Sequence, residues 1–168
     1  GAKEAKEYFR EFKTMDFFLK DTCFNSIDMA FNPKRADDRK TWILSHNVNN
    51  LLDYNNKTLS YTDFINKELI LFSIYDNERS IPSLFDGLKP SQRKVLYTFN
   101  KKNIVSSIKV SQVVGIISSF TAYHHGEMSL TGTVINMAQN YVGHHNINLL
   151  TPEGQFGTRY CGGKDCAQ

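Results

Sequence analysis

Apolar side chains recur every three or four residues through the second half of the chain, which is the spacing of one helix face. Pro90 stands at a first-turn position and begins the first of three such stretches. Glu127 begins the third, where a negative charge favours a helix N-terminus. The apolar positions are Val95, Leu96 and Phe99 in the first, Val110, Val113, Val114, Ile117 and Phe120 in the second, and Leu130, Val134, Met137, Ala138 and Tyr141 in the third.

A β-ribbon is predicted after these helices. Residues 146–150 and 155–160 are separated by the turn sequence Pro152-Glu153-Gly154. Three helices with a turn between the last two, followed by a ribbon, are the outline of a winged helix. We therefore predict an α+β, mainly α fold: a winged-helix domain (helix-turn-helix plus β wing) preceded by a small mixed segment of helix and strand.

The first half predicts shorter elements. Residues 3–12 are helix formers of alternating charge, and residues 15–19 have β character. Asn32-Pro33 is typical of a helix start, and Ser60 to Asp63 fits a capping box. The helix that follows Ser60 carries a predicted core stripe of Ile65, Leu69 and Phe72, with Phe64 and Leu71 beside it. The Asn-rich residues 46–59 read as a loop that divides residues 1–45 from a domain at 60–168.

Charge is distributed unevenly along the chain. The stretch from Leu88 to Gly126 contains no Asp or Glu and six basic residues, whereas the whole chain is only +3, so the remainder sums to −3 (3 − 6). A concentrated cationic surface indicates a polyanionic partner, of which duplex DNA is the first candidate. No apolar run approaches the roughly 20 residues of a membrane span, so no membrane partner is expected.

Other chemistry is sparsely represented. The three cysteines lack zinc-site spacing and read as free thiols, and no third ligand accompanies the pairs His124-His125 and His144-His145. His144-His145 reads as exposed loop residues, whereas His124-His125 is as consistent with phosphate contact. We expect no bound metal or nucleotide and no catalytic residue. The chain begins at Gly1 without Met, and we expect it to be an internal fragment.

Many sequence blocks, in order, resemble the type IIA DNA topoisomerases of the eukaryotic kind. The blocks are residues 3–9, 36–40, 61–69, 79–84, 86–90, 92–96, 122–127, 136–140, 154–159 and 162–165. The short Asn-rich segment and His144-His145 resemble a diverged viral enzyme of that family. A viral protein would act in the host cytoplasm, in viral factories, and a cellular one in the nucleus.

The resemblance implies an ATP-dependent enzyme that binds a gate DNA duplex for double-strand cleavage, strand passage and religation. It implies that residues 60–168 are the winged-helix part of the DNA gate and residues 1–45 the tail of a metal-binding Toprim region. Mg²⁺, ATP and homodimer formation belong to the full-length enzyme. The catalytic Arg-Tyr pair and the Mg²⁺-binding acids would lie outside this chain, which would therefore be inactive alone.

The resemblance also implies DNA contacts, to which charge and position add Arg93 and Lys164. The expected DNA-binding residues are Lys34, Lys89, Arg93, Tyr123, His124, His125, Ser129 and Lys164. Pro33 stands where the family often has a second lysine, which weakens the expectation around Lys34. Arg159-Tyr160 imitates the family's catalytic dipeptide, but the alignment places Tyr160 elsewhere, and we expect it to be structural.

Two alternatives remain open at the level of the residues. A free-standing winged-helix regulator would read base edges, and Asn136, Gln139 and Asn140 on the third helix offer suitable side chains. A protein-interaction module with an incidental basic patch is the other. Only a regulator should prefer one DNA sequence by orders of magnitude.

Overall fold

The computed structural model describes residues 1–12, 14–144 and 147–167 and divides the chain into two compact units, Gly1–Asn77 and Glu78–Gln168. Residues 60–77 thus lie in the first unit, whereas the sequence grouped them with the second half. The helices are α1 (Ala2–Arg10), α2 (Asp21–Phe31), α3 (Ala36–Leu44), α4 (Tyr61–Phe64), α5 (Ile70–Ser80), α6 (Pro90–Lys101), α7 (Val110–Phe120) and α8 (Glu127–Ala138). The predicted mainly α, α+β fold is confirmed.

A two-stranded parallel sheet anchors the first unit. β1 (Asp16–Phe18) pairs with β2 (Thr58–Ser60), and Phe17 lies opposite Leu59. Parallel strands need a long crossover, and α2 and α3 lie between them in the chain. The strand predicted at residues 15–19 is confirmed. Helix α2 was not predicted, because Thr22-Cys23-Phe24-Asn25 contains no strong helix former.

The starts of helices follow the predicted capping. Asn32 accepts a hydrogen bond from the backbone N–H of Lys34, and Pro33–Arg35 forms a 3₁₀ turn before α3. Ser60 accepts one from the N–H of Asp63 at 3.1 Å. At the start of α6, Pro90 occupies the first turn and the Gln92 side chain accepts from the N–H of Lys89 at 2.9 Å. These partners satisfy donors that a helix N-terminus leaves unpaired.

The stripe predicted for the helix after Ser60 is wrong in its second half. Residues Ile65–Leu69 form a π-helical turn, which inserts an extra residue per turn and rotates everything downstream. As a result Ile65 and Ile70 are buried, whereas Phe72 is 61% exposed. A uniform 3.6-residue period cannot foresee that rotation.

The core of the second unit lies where α6, α7 and α8 meet. It contains the buried residues Val95, Val113, Val114, Ile117, Leu130, Val134 and Met137. All seven were predicted from helical spacing, and burying each contributes about 1.5–3 kcal/mol. Leu96, Phe99 and Val110 pack against this core from its edge, while Phe120 is 39% exposed.

The predicted ribbon is not formed as paired strands. Among the described residues 147–167 the chain makes turns and bends. Gly154, Gly157, Gly162 and Gly163 all have positive φ, a backbone region that extended strands do not use. Asn146, part of the first predicted strand, lies outside the described residues.

Candidate phosphate-binding surface

The turn between α7 and α8 carries the most reactive side chains of the second unit. Its backbone is tied to α7, since the N–H of Tyr123 donates to the carbonyl of Ser118 at 3.1 Å. Lys94 of α6 donates to the carbonyl of Thr121 at 3.1 Å. Gly126, with φ +90°, then starts α8 in a conformation that favours glycine. The turn is thereby held in one shape.

Two imidazoles lie side by side on this turn. The ring centroids of His124 and His125 are 4.2 Å apart, and the Tyr123 ring meets His125 edge-on at 5.5 Å. Nη1 of Arg79, in the last turn of α5, lies 3.5 Å from Nδ1 of His125. Because a guanidinium only donates, His125 accepts through Nδ1 and carries its hydrogen on Nε2.

Burial lowers the pKa of His125, and the nearby His124, Arg79 and Lys94 lower it further. The Lys94 ammonium also lies 5.7 Å from the centre of the Tyr123 ring. Tyr123 in turn donates to the Ser129 hydroxyl at 3.2 Å, in the first turn of α8. We name these six residues the turn cluster: Arg79, Lys94, Tyr123, His124, His125 and Ser129.

The turn cluster has the properties of an anion site. It combines two permanent cations, two imidazoles and two hydroxyls beside the N-terminus of a helix, whose N–H groups favour negative charge. Tyr123, His124, His125 and Ser129 were predicted together, and they lie together. Arg79 and Lys94 were missed as site residues. Arg79 stands 46 positions from His125 in the chain, and only folding brings them into contact.

Lys89 and Arg93 lie at the start of α6, one turn before and next to Lys94. Lys89 is exposed and forms no ion pair among the described residues. Arg93 instead makes a two-pronged contact with Asp86, at 2.8 Å and 3.1 Å to one carboxylate oxygen. The Leu88 N–H and Arg93 hold the pKa of Asp86 below its usual value. Part of the charge expected at Arg93 is therefore neutralised.

The other two predicted residues lie apart from the turn cluster. Lys34 is an exposed residue of the first unit, in the 3₁₀ turn. Lys164 lies in the glycine-rich segment after α8, which contacts Gln139 at the helix end opposite Ser129. A role for all eight predicted residues in binding DNA stays a prediction.

The side chains considered for other chemistry are placed as follows. Gln139 is 3% exposed and donates inward, so it cannot read base edges. His144 is half-buried and contacts the Asn136 carbonyl, contrary to the exposed loop position expected; His145 lies outside the described residues. Tyr160 is 97% exposed and has no packing role, contrary to the structural role expected.

Metal ligation and membrane insertion find no support in the part of the chain that the structure describes. Within it, no three His, Cys, Asp or Glu side chains are grouped to hold a metal ion. Nor does any helix there have the length and apolar character needed to cross a membrane. The three cysteines are free thiols, with Cys23 buried and Cys161 exposed.

Family models match both units. Residues 79–168 match the model for DNA gyrase/topoisomerase IV, and residues 1–77 match the C-terminal associated domain of TOPRIM. The junction of the two matches lies next to the junction of the two compact units.

Individual relatives extend the comparison. The chain is 52% identical over 174 residues to DNA topoisomerase 2 of Saccharomyces cerevisiae, covering 99% of the chain and 12% of that protein. It is 51% identical over 167 residues to the probable DNA topoisomerase 2 of Dictyostelium discoideum, covering 98% and 11%. The crystal structure of the Plasmodium falciparum topoisomerase II DNA-binding, cleavage and re-ligation domain superposes with a TM-score of 0.79 at 51% identity, over 100% of this chain and 23% of that one.

Proposed function

Because the chain belongs to the type IIA DNA topoisomerase family, we propose that its second unit binds the gate DNA duplex during double-strand cleavage, strand passage and religation. The turn cluster is the observation that carries this proposal. Its cations, imidazoles and hydroxyls donate to phosphate oxygens but have no arrangement for reading one base sequence. Such contacts suit an enzyme that acts on nearly any duplex.

The chemistry of the reaction is proposed to come from a longer protein. The chain spans only 11–12% of the length of the curated relatives described above. The nucleophilic tyrosine, its arginine partner and the Mg²⁺-binding acids are assigned to residues outside 1–168, and ATP use to the whole enzyme. The described residues do not fit a metal, so no step through one is assigned to them. Alone, the chain should bind duplex DNA without cutting it.

The wider setting is also part of the proposal. The longer enzyme would act as a homodimer on double-stranded DNA inside the cell. The short Asn-rich segment motivates a viral origin, with action in cytoplasmic viral factories, whereas a cellular protein would work in the nucleus. The relatives named above are cellular proteins at about 50% identity, which by itself favours neither source.

Fluorescence anisotropy with a 30-base-pair duplex tests the binding proposal. Plotted against salt concentration, the affinity should fall steeply, and two unrelated duplex sequences should give curves within a fewfold of each other. Lys89→Ala should lower the salt slope by about 0.9, and a His124→Ala/His125→Ala double variant should weaken binding severalfold. Lys3→Ala, which removes an exposed cation from α1 of the first unit, is the charge-matched control and should change nothing.

Each result separates the proposal from an alternative. Preference for one sequence by orders of magnitude would identify a regulator instead. Equal binding by the wild type and the turn-cluster variants would mean that DNA does not bind at this surface. Failure of the wild-type chain to bind duplex at low salt would leave the protein-interaction module.

A further inference from the structure

The segment after α8 is a compact, internally bonded turn, although it contains no strand among its described residues. We call residues 154–167 the C-terminal turn. The buried Gln139 side chain donates from Nε2 to two of its carbonyls, Phe156 at 2.8 Å and Gly163 at 3.2 Å. A single amide group thus joins two points of the turn that are seven residues apart in the chain and fixes both to the end of α8.

Close backbone approaches show how tightly this turn is built. A Cβ at Gly157 would meet the Gly163 carbonyl oxygen at 2.6 Å, and a Cβ at Gly163 would meet Nε2 of Gln139 at 2.5 Å. Both glycines have positive φ as well. Only glycine fits at either position, so the turn has one accessible packing against Gln139.

Asp165 closes the other side of the turn. Its carboxylate accepts from the Thr158 N–H at 2.8 Å and from the Thr158 hydroxyl at 2.7 Å, with Gln155 at 3.4 Å. These bonds lower the pKa of Asp165, which keeps it ionised and engaged within the turn. Arg159 and Lys164 are both exposed, and neither forms an ion pair among the described residues. The turn therefore directs its negative charge inward and presents two cations.

Helix α8 sets the distance between this turn and the turn cluster. Ser129 stands in its first turn and Gln139 directly after its last residue, ten positions later. At 1.5 Å per residue the separation along the axis is about 15 Å. This corresponds to roughly four to five base steps along one DNA strand, at 3.4 Å each.

We propose that Arg159 and Lys164 form a second phosphate contact on the duplex held by the turn cluster, with Gln139 as the positioning residue. The inference rests on the proposed function and extends it to Arg159 and Gln139. Gln139 does not touch the DNA in this arrangement. It holds the backbone from which the two cations reach the phosphates.

Affinity measurements on the whole 168-residue chain test the contact itself. At 100 mM salt each lost phosphate contact should weaken binding about eightfold, since the affinity varies with about the 0.9 power of salt per contact. The Arg159→Ala/Lys164→Ala double variant should therefore lose about two units of salt slope. Both side chains are exposed, so its thermal unfolding should match the wild type.

The positioning role is tested with Gln139→Leu, which keeps the side-chain volume and removes the two donated bonds. It should lower the salt slope toward that of the double variant and have no further effect when combined with it. Asn140→Ala, at the exposed neighbouring position, is the matched control and should bind like the wild type. Thr158→Val, which removes one bond to Asp165, should shift the slope in the same direction and serves if Gln139→Leu does not fold.

The outcomes distinguish this inference from the proposed function. Wild-type binding by Arg159→Ala/Lys164→Ala, with binding still weakened by His124→Ala/His125→Ala, would overturn the second contact and leave the first. An undiminished effect of Gln139→Leu in the double-variant background would show that Gln139 acts only through stability. Loss of effect in every variant would instead remove the proposed function.

Discussion

At the scale of single residues, contacts distant in sequence decide which charges are available to a ligand. Arg93 was expected to be a free cation, but Asp86, just before the carboxylate-free stretch, binds it with both oxygens. Lys94 instead lies against the Tyr123 ring and the Thr121 carbonyl. Two adjacent basic residues thus have different roles, because helix neighbours point about 100° apart.

The lowered pKa of His125 makes stability depend on pH. Its folded-state pKa lies below the ordinary 6.5, so the unfolded chain binds more protons once the pH falls through 6.5. The contribution is absent above that pH, and the folded state loses stability down to the lowered pKa. In urea unfolding at pH 7.5, 6.5 and 5.5, His125→Gln should lose less stability between pH 7.5 and 5.5 than the wild type.

His144→Gln, on the same unit but away from the turn cluster, should keep the wild-type pH profile. Identical profiles for the wild type and His125→Gln would show that His125 is not the group responsible. Because a bound phosphate favours the charged ring, duplex affinity should rise over the same fall in pH.

At the scale of elements, the π-helical turn Ile65–Leu69 determines which side of α5 faces the core. Continuous α-helical spacing from Ile65 leads to Leu69 and Phe72, whereas the extra residue brings Ile70 to the buried position. The two possible registers can therefore be separated by comparing one residue from each.

Ile70→Ala and Phe72→Ala give that comparison. Ile70 is 2% exposed, and its truncation should lower the free energy of unfolding by about 2–5 kcal/mol. Phe72 is 61% exposed in the described structure, so its truncation should cost less than about 1 kcal/mol. Chemical denaturation followed by tryptophan fluorescence measures both. A larger effect at Phe72 would restore the uninterrupted helix predicted from spacing.

At the scale of the whole molecule, the division at Asn77/Glu78 predicts two cooperative units. The chain has one tryptophan, Trp42 in the first unit, where its indole N–H donates to Asn66 at 2.9 Å. Tryptophan fluorescence therefore reports the first unit, while helical circular dichroism reports both.

Leu130→Ala should separate the two signals. Leu130 is 0% exposed in the core of the second unit, and its loss should cost about 2–5 kcal/mol there. The circular dichroism transition should begin at lower urea, whereas the Trp42 midpoint should stay at the wild-type value. Ile70→Ala is the reciprocal control and should move the Trp42 midpoint. Equal shifts of both signals by Leu130→Ala would mean that the chain unfolds as one unit.

The sequence by itself determined the helices of the second unit, their buried faces and their capping, because these depend on residues three or four positions apart. It also determined the grouping of Tyr123, His124, His125 and Ser129, since one short turn carries them. Only the tertiary structure decided the contact of Arg79 with His125, the pairing of Arg93 with Asp86 and the inward direction of Gln139. It also replaced the predicted ribbon by a glycine-rich turn. Each of these depends on groups brought together from separate parts of the chain, or on backbone conformations that a pattern of apolar residues does not record.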